Sequence, residues 1–204
     1  MGSFLDLLVK GGPLMIPIVL CSVIALGVFL ERVFYLRRRK IIPPELVIHV
    51  EDLVKKDKIS DVSTILRRDR SPMARIFYAA IKNFGRKREI IKEAVEEIGS
   101  QEAEFLEKYL GVLSVIAQIS PLLGLLGTVQ GMIKVFTKIT EIGVGDPSQL
   151  ADGISVALVT TAAGLTVAIP TLIGYHYLLG RANDLIFEMQ QYSIGLIDII
   201  KGED

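Results

Sequence analysis

The 204-residue chain has no tryptophan, one cysteine and two histidines. A lone cysteine, Cys21, excludes an internal disulfide and a thiolate metal cluster. In an apolar run such a thiol reads as a small packing residue. Also missing are a phosphate-binding glycine loop, a ligand cluster at metal spacing, and a nucleophile with a plausible base. The sequence therefore predicts no enzyme, no cofactor and no bound metal. Charge is the most informative shortage. The 23 basic and 23 acidic residues cancel, but segments 11–30, 109–133 and 153–180 contain none of either sign. An intramembrane hydrolase would need a Ser–His pair or two acids, and these segments offer one histidine and no acid.

What fills those segments is apolar. Half of all residues are hydrophobic and the mean hydropathy is +0.47. A helix rising 1.5 Å per residue needs about 20 apolar residues to cross the roughly 30 Å hydrocarbon layer. Each segment meets that length, so three transmembrane helices are expected. The first does not read as a signal peptide, because its positive charge follows the apolar run rather than preceding it. The cluster at 32–40 marks the cytoplasmic side. The N-terminus and 134–152 then fall in the periplasm and the C-terminus in the cytoplasm. Because that cluster abuts a span, anionic lipid is its expected partner, and nucleic acid is not.

The remaining stretches read as helices. Residues 1–10 suit an interfacial helix, with apolar residues at 4, 5, 8 and 9. Pro43-Pro44 separates the cytoplasmic region, 31–108, from the first span. A short helix follows over 45–56, Ser60-Asp61 can cap the next, and Ser71-Pro72 starts another. From Arg88 charged residues alternate with apolar ones, and no proline intervenes before the second span, which predicts one continuous helix. The third span can continue through 181–204 on apolar positions 185, 189, 192 and 196. The expected fold is all-α: an integral membrane protein with three spanning helices, two of them extended into a cytoplasmic helical bundle.

Small residues interrupt the last two spans in register. Positions three and four apart share a helix face. Pro121, Gly124, Thr128 and Gly131 form one stripe, with Gly127 beside it. Ala157, Thr161, Gly164, Ala168 and Thr171 form another. Such stripes let helices approach closely in lipid, where hydrophobic drive is weak. They can equally line a narrow hydrated path, with hydroxyls as donors and acceptors. Periodicity does not choose between these readings.

Both stretches resemble signature segments of the MotA/TolQ/ExbB proton channel family, and the three-span layout resembles its TolQ/ExbB branch. Pro121, Gly124, Leu125, Gly127, Thr128, Val129 and Gly131 fill the pattern P-x-x-G-L-x-G-T-V-x-G. Gly153, Ile154, Ala157, Leu158, Thr161, Ala162, Gly164, Leu165, Ala168, Ile169 and Pro170 fill the third-span pattern. The resemblance implies a homopentameric ring around a dimer of a one-span ExbD/TolR-like partner. That assembly is an inner-membrane motor driven by the proton-motive force. The partner's membrane aspartate would carry the proton, and Thr128 and Thr161 would face it. Gly124, Gly131, Pro121, Ala157, Gly164 and Ala168 would line the path with them.

Val156 departs from the pattern, since many ExbB- and TolQ-like chains carry a glutamate there. With valine the three spans hold no carboxylate, so conduction should need the partner's acid. His176, between Tyr175 and Tyr177, is a candidate exit relay or an interfacial residue. Gln118 and Gln130 can line the path or bond across helices, with packing the favoured role for Gln130. Pro121 and Pro170 each remove a backbone donor, which can free a carbonyl. Glu31 reads as an ion-pair partner of the neighbouring basic cluster. A membrane scaffold whose stripes only pack helices is the alternative function.

Overall fold

In a computed structural model of the chain, residues 11–142 and 147–202 are described. They form eight helices: α1 (Met15–Tyr35), α2 (Arg38–Ile41), α3 (Pro44–Lys55), α4 (Ile59–Arg68), α5 (Pro72–Lys82), α6 (Arg88–Glu107), α7 (Leu110–Ile142) and α8 (Pro147–Lys201). No strand occurs among the described residues. The fold is the all-α membrane class, with three helices long and apolar enough to cross a bilayer. The proposed interfacial helix at 1–10 lies outside the described residues.

The chain divides into two compact units, residues 1–31 with 109–177 and residues 32–108 with 178–204. In the first, α1 turns Met15, Ile18 and Ala25 inward, while Ile16, Leu20, Val23 and Leu26 face out. A whole helix face of large apolar residues turned outward suits apolar surroundings such as lipid. The Phe29 ring of α1 abuts Gly174 of α8, where a Cβ would sit 2.9 Å from its Cδ2. Ser22, Ala25, Phe29, Leu113, Pro170 and Thr171 border a mainly apolar groove of about 610 Å³.

The second unit is a helical bundle with its own core. Phe77, Met73 and Ile76 of α5 are sealed against Val62 and Leu66 of α4 and Ile91 of α6. Leu185, Met189 and Leu196 of α8 are also fully buried, while Tyr192 is half-buried and its hydroxyl accepts a bond from Arg38 Nη2 at 3.3 Å. Ion pairs Arg38–Glu188 (2.7 Å) and Arg88–Asp198 (2.5 Å) tie α2 and the start of α6 to α8. Both pairs are half-exposed, so each adds little energy and mainly fixes position.

Several local expectations change. Ser71 does cap α5, its Oγ accepting from the Ala74 N–H at 3.3 Å, with Pro72 at the first helical position. Ser60 does not cap α4, which begins at Ile59 after Lys58 without a side-chain cap. The chain breaks twice after the first span, at 36–37, where α1 has run on to Tyr35, and again at 42–43, where Pro44 opens α3 as expected. Charged residues end a span but need not end a helix. For the same reason 134–152 is largely helical, α7 reaching Ile142 and α8 starting at Pro147.

The continuous helix expected from Arg88 through the second span is interrupted. Lys108 has an extended ψ of 137° and Tyr109 a left-handed φ of 67°. A residue with a Cβ rarely adopts that region, and one such residue breaks the hydrogen-bond ladder. The unit boundary falls at this point. α8, in contrast, runs unbroken.

Near the end of α6, Glu102 is 3% exposed. Arg75 Nη1 donates to its Oε1 at 2.8 Å, and its buried Oε2 meets no donor among the described residues. Burial raises the Glu102 pKa above the ordinary 4.5, and the Arg75 charge and hydrogen bond only partly oppose this. A carboxyl with a raised folded pKa stabilises the fold most in acid and loses that contribution as pH rises through the folded value. The melting temperature of the native protein, minus that of Glu102→Gln, should therefore fall as pH increases above 4.5. Thermal unfolding over a pH series measures this. A difference that grows with pH would contradict the assignment.

Candidate proton path

The two small-residue stripes meet each other. On α7 the buried row is Ser120, Gly124, Gly127 and Gly131. On α8 it is Gly153, Ala157, Thr160, Gly164 and Ala168. Both rows step by three or four residues, so each is one helix face. The approach is backbone to backbone. A Cβ on Gly164 would lie 2.5 Å from the Ser120 carbonyl oxygen, and one on Gly124 2.9 Å from the Thr160 carbonyl oxygen. On Gly131 it would lie 2.7 Å from the Gly153 carbonyl oxygen and 3.1 Å from the Ala157 methyl. Gly127 receives the Thr160 side chain, with a Cβ there only 2.2 Å from Oγ1.

Gly124, Gly131, Ala157 and Gly164 are therefore filled in by the neighbouring helix, and Ala168 is buried on the same face. The structure gives the first four a packing contact. Sequence reasoning missed Thr160 and Ser120. Thr160 is fully buried, and its hydroxyl donates to the Val156 and Ala157 carbonyls at 2.9 and 3.0 Å. Ser120 is equally buried, with no partner for Oγ among the described residues. The signal was present, since 120, 124, 127 and 131 fit helical spacing as well as the stripe built on Pro121 and Thr128.

The two named threonines flank this seam. Thr161 is half-buried, and its Oγ1 donates across to the Gly124 carbonyl at 3.3 Å. Thr128 is one turn beyond Gly124, half-buried, with Oγ1 donating to its own helix at Leu125 O, 2.7 Å away. Both hydroxyls thus sit at one level of the α7–α8 pair, each with lone pairs left over. Pro121 is half-buried and has no N–H for the Ala117 carbonyl.

The other marked residues disperse. Val156 lies beside Gly12, its methyl 3.8 Å from where a Gly12 Cβ would be. Five residues separate it from Thr161, about 140° round the helix, so the two flank opposite sides of the seam. His176 is exposed and touches the Tyr175 ring, with centroids 5.1 Å apart. Cys21 is a half-buried free thiol, and Gln130 is half-buried. Among the described residues no group of three or more His, Cys, Asp or Glu could hold a metal.

The profile of the MotA/TolQ/ExbB proton channel family matches residues 68–191, which include all of α7 and the whole seam. The chain belongs to this family. Within the MotA/TolQ/ExbB family it falls in the TolQ/ExbB branch. An ExbB homolog of Methanothermobacter thermautotrophicus is 30% identical over 191 residues, 93% of this chain and 67% of that protein. An ExbB-like protein of Synechocystis sp. is 34% identical over 183 residues, 86% of this chain and 70% of that one. The Tol-Pal system protein TolQ of Haemophilus influenzae is 33% identical over 119 residues, covering 53% and 52%. The family is one of proton channels in biopolymer transport and Tol-Pal systems, not of enzymes.

The seam makes a mutational prediction. Gly127→Ala and Gly164→Ala each force a methyl into contacts of 2.2 and 2.5 Å, and should destabilise the protein by about 1–3 kcal/mol. Gly180→Ala in the same helix meets nothing within 4 Å and should be neutral or up to about 1 kcal/mol stabilising. Melting in detergent micelles compares the three. Equal effects at all three would refute the close contact.

Proposed function

We propose that the chain is the ring-forming subunit of an inner-membrane motor driven by the proton-motive force. Five copies surround a dimer of a one-span ExbD/TolR-like partner. The observation that carries this reading is the pairing of two hydroxyls at one level with spans that contain no acid. The proton carrier then has to be a carboxylate on another chain. With spans at 11–30, 109–133 and 153–180, the positive-inside rule supports an N-terminus and an α7–α8 connection in the periplasm. Regions 31–108 and 181–204 lie in the cytoplasm, where the basic cluster at 32–40 belongs.

Thr128, Thr161 and Pro121 border the path, and Gly124, Gly131, Ala157, Gly164 and Ala168 hold its wall together from behind. The energies suit a carrier that must alternate between charged and neutral states. A carboxylate at the bilayer centre costs about 2.5–3.5 kcal/mol on insertion scales. A hydroxyl contact in a membrane returns about 0.6–2 kcal/mol. Two contacts roughly offset the cost without trapping the ion. His176, exposed towards the proposed cytoplasmic end of the third span, is the candidate exit relay. The scaffold alternative accounts for the glycines and for the bonds of Thr161 to Gly124 O and Thr128 to Leu125 O, but gives no use to the acceptor capacity those hydroxyls keep.

The test has two parts. Native mass of the complex, expressed with and without the one-span partner, should show five copies that gain two partner chains. Thr128→Val and Thr161→Val should keep that mass and lower ion flux roughly 3- to 30-fold, the loss of one hydroxyl contact each. A monomer that never takes up the partner would overturn the ring. Unchanged flux in both variants would return the stripes to packing alone.

A further inference from the structure

Gln118 is the polar side chain whose setting the seam does not explain. It is exposed on α7, within the uncharged segment 109–133 and among outward-facing Val115, Ile119 and Leu122. Its Nε2 donates to Ser114 Oγ at 3.0 Å, and its Oε1 meets no donor among the described residues. An amide oxygen left bare in hydrocarbon costs several kcal/mol, so this oxygen needs water or a partner.

The helix geometry says where. Ser114 and Pro121 are four residues before and three after Gln118, and Thr128 is seven residues beyond Pro121. Each step of four, three or seven residues shifts the position only slightly round the helix, so Ser114, Gln118, Pro121 and Thr128 fall within an arc of about 80° on α7, with Gln118 at one edge and Thr128 at the other. The bond to Ser114 draws the amide towards that side, away from Ile119 and Leu126. Pro121 leaves the Ala117 carbonyl without its helical donor between the two ends of this row. Gln118 is about 15 Å from Thr128 along the helix axis, towards the Lys108 end.

We propose that Gln118, oriented by Ser114, lines a hydrated extension of the ion path on α7, about 15 Å from the threonine level. This rests on the path reading above and adds the direction in which the proton leaves Thr128. Gln118 is a positioning residue. It does not exchange a proton, but it holds water for the group that does.

The test uses the single-cysteine chain as it is. In a Cys21→Ala background, assembled with the one-span partner in membranes, cysteine is placed at Gln118, Thr128 or Leu126. Each is treated with a permanently charged methanethiosulfonate. Only the thiolate reacts, and a thiolate forms where water reaches. Gln118→Cys and Thr128→Cys should both react about tenfold or more faster than Leu126→Cys, which faces about 160° away from Thr128 and about 80° from Gln118. Fast Thr128→Cys with slow Gln118→Cys would overturn the extension and leave the path. Slow reaction at both would overturn the path and the extension with it. Should the cysteine variants fail to assemble, flux through Gln118→Leu and Gln118→Asn decides. Loss with leucine and partial recovery with asparagine at unchanged native mass supports the role, and equal flux in both overturns it.

Discussion

Everything in the membrane unit depends on two backbones touching. Lipid tails are as apolar as leucine, so side-chain burial drives helix association weakly there. The α7–α8 pair instead brings carbonyl oxygens to within 3 Å of positions where any larger residue would carry a Cβ. Glycine is required at Gly124, Gly127, Gly131 and Gly164 for that contact. The helices are locked in one register because a shift of a single residue would put threonine or leucine where glycine now lies. Such a contact is rigid, and it fixes where the flanking Thr128 and Thr161 hydroxyls sit.

The seam also separates two kinds of threonine by chemistry alone. Thr160 spends its hydroxyl within its own helix and is sealed off. Thr128 and Thr161 lie on the flanks, half-buried, with acceptor capacity left over. In the other unit, soluble rules return. Phe77 and its neighbours form a conventional core, and the one buried carboxylate of the α5–α6 contact, Glu102, has an arginine beside it.

The spans were legible because absence of charge over 20 or more residues has few other causes. Ser71-Pro72 was legible because a cap and a proline act through local geometry. The interruption at Lys108–Tyr109 was not, since neither residue is a helix breaker and nothing in their propensities signals the left-handed φ of 67° at Tyr109. Similarly, a lysine at 134 or 138 stops a hydrophobic run without stopping the hydrogen-bond ladder of α7. For the site, Gly124, Gly131, Ala157, Gly164 and Ala168 were visible as a face. Which neighbour shared it, Thr160 or Thr161, was invisible, because adjacent residues differ by about 100° and both registers fit the spacing. Only the position of the second helix resolves that ambiguity.

Glycine rows have one more property, and it concerns how the chain gets built. A contact made of backbone atoms freezes no rotamers, so its formation forfeits little side-chain entropy. Its two halves are also close in sequence, with α7 ending at Ile142 and α8 beginning at Pro147. Short loop closure and low ordering entropy both favour early formation of this hairpin. α1 is synthesised first, yet the Phe29 contact with Gly174 can form only after α8 has been made.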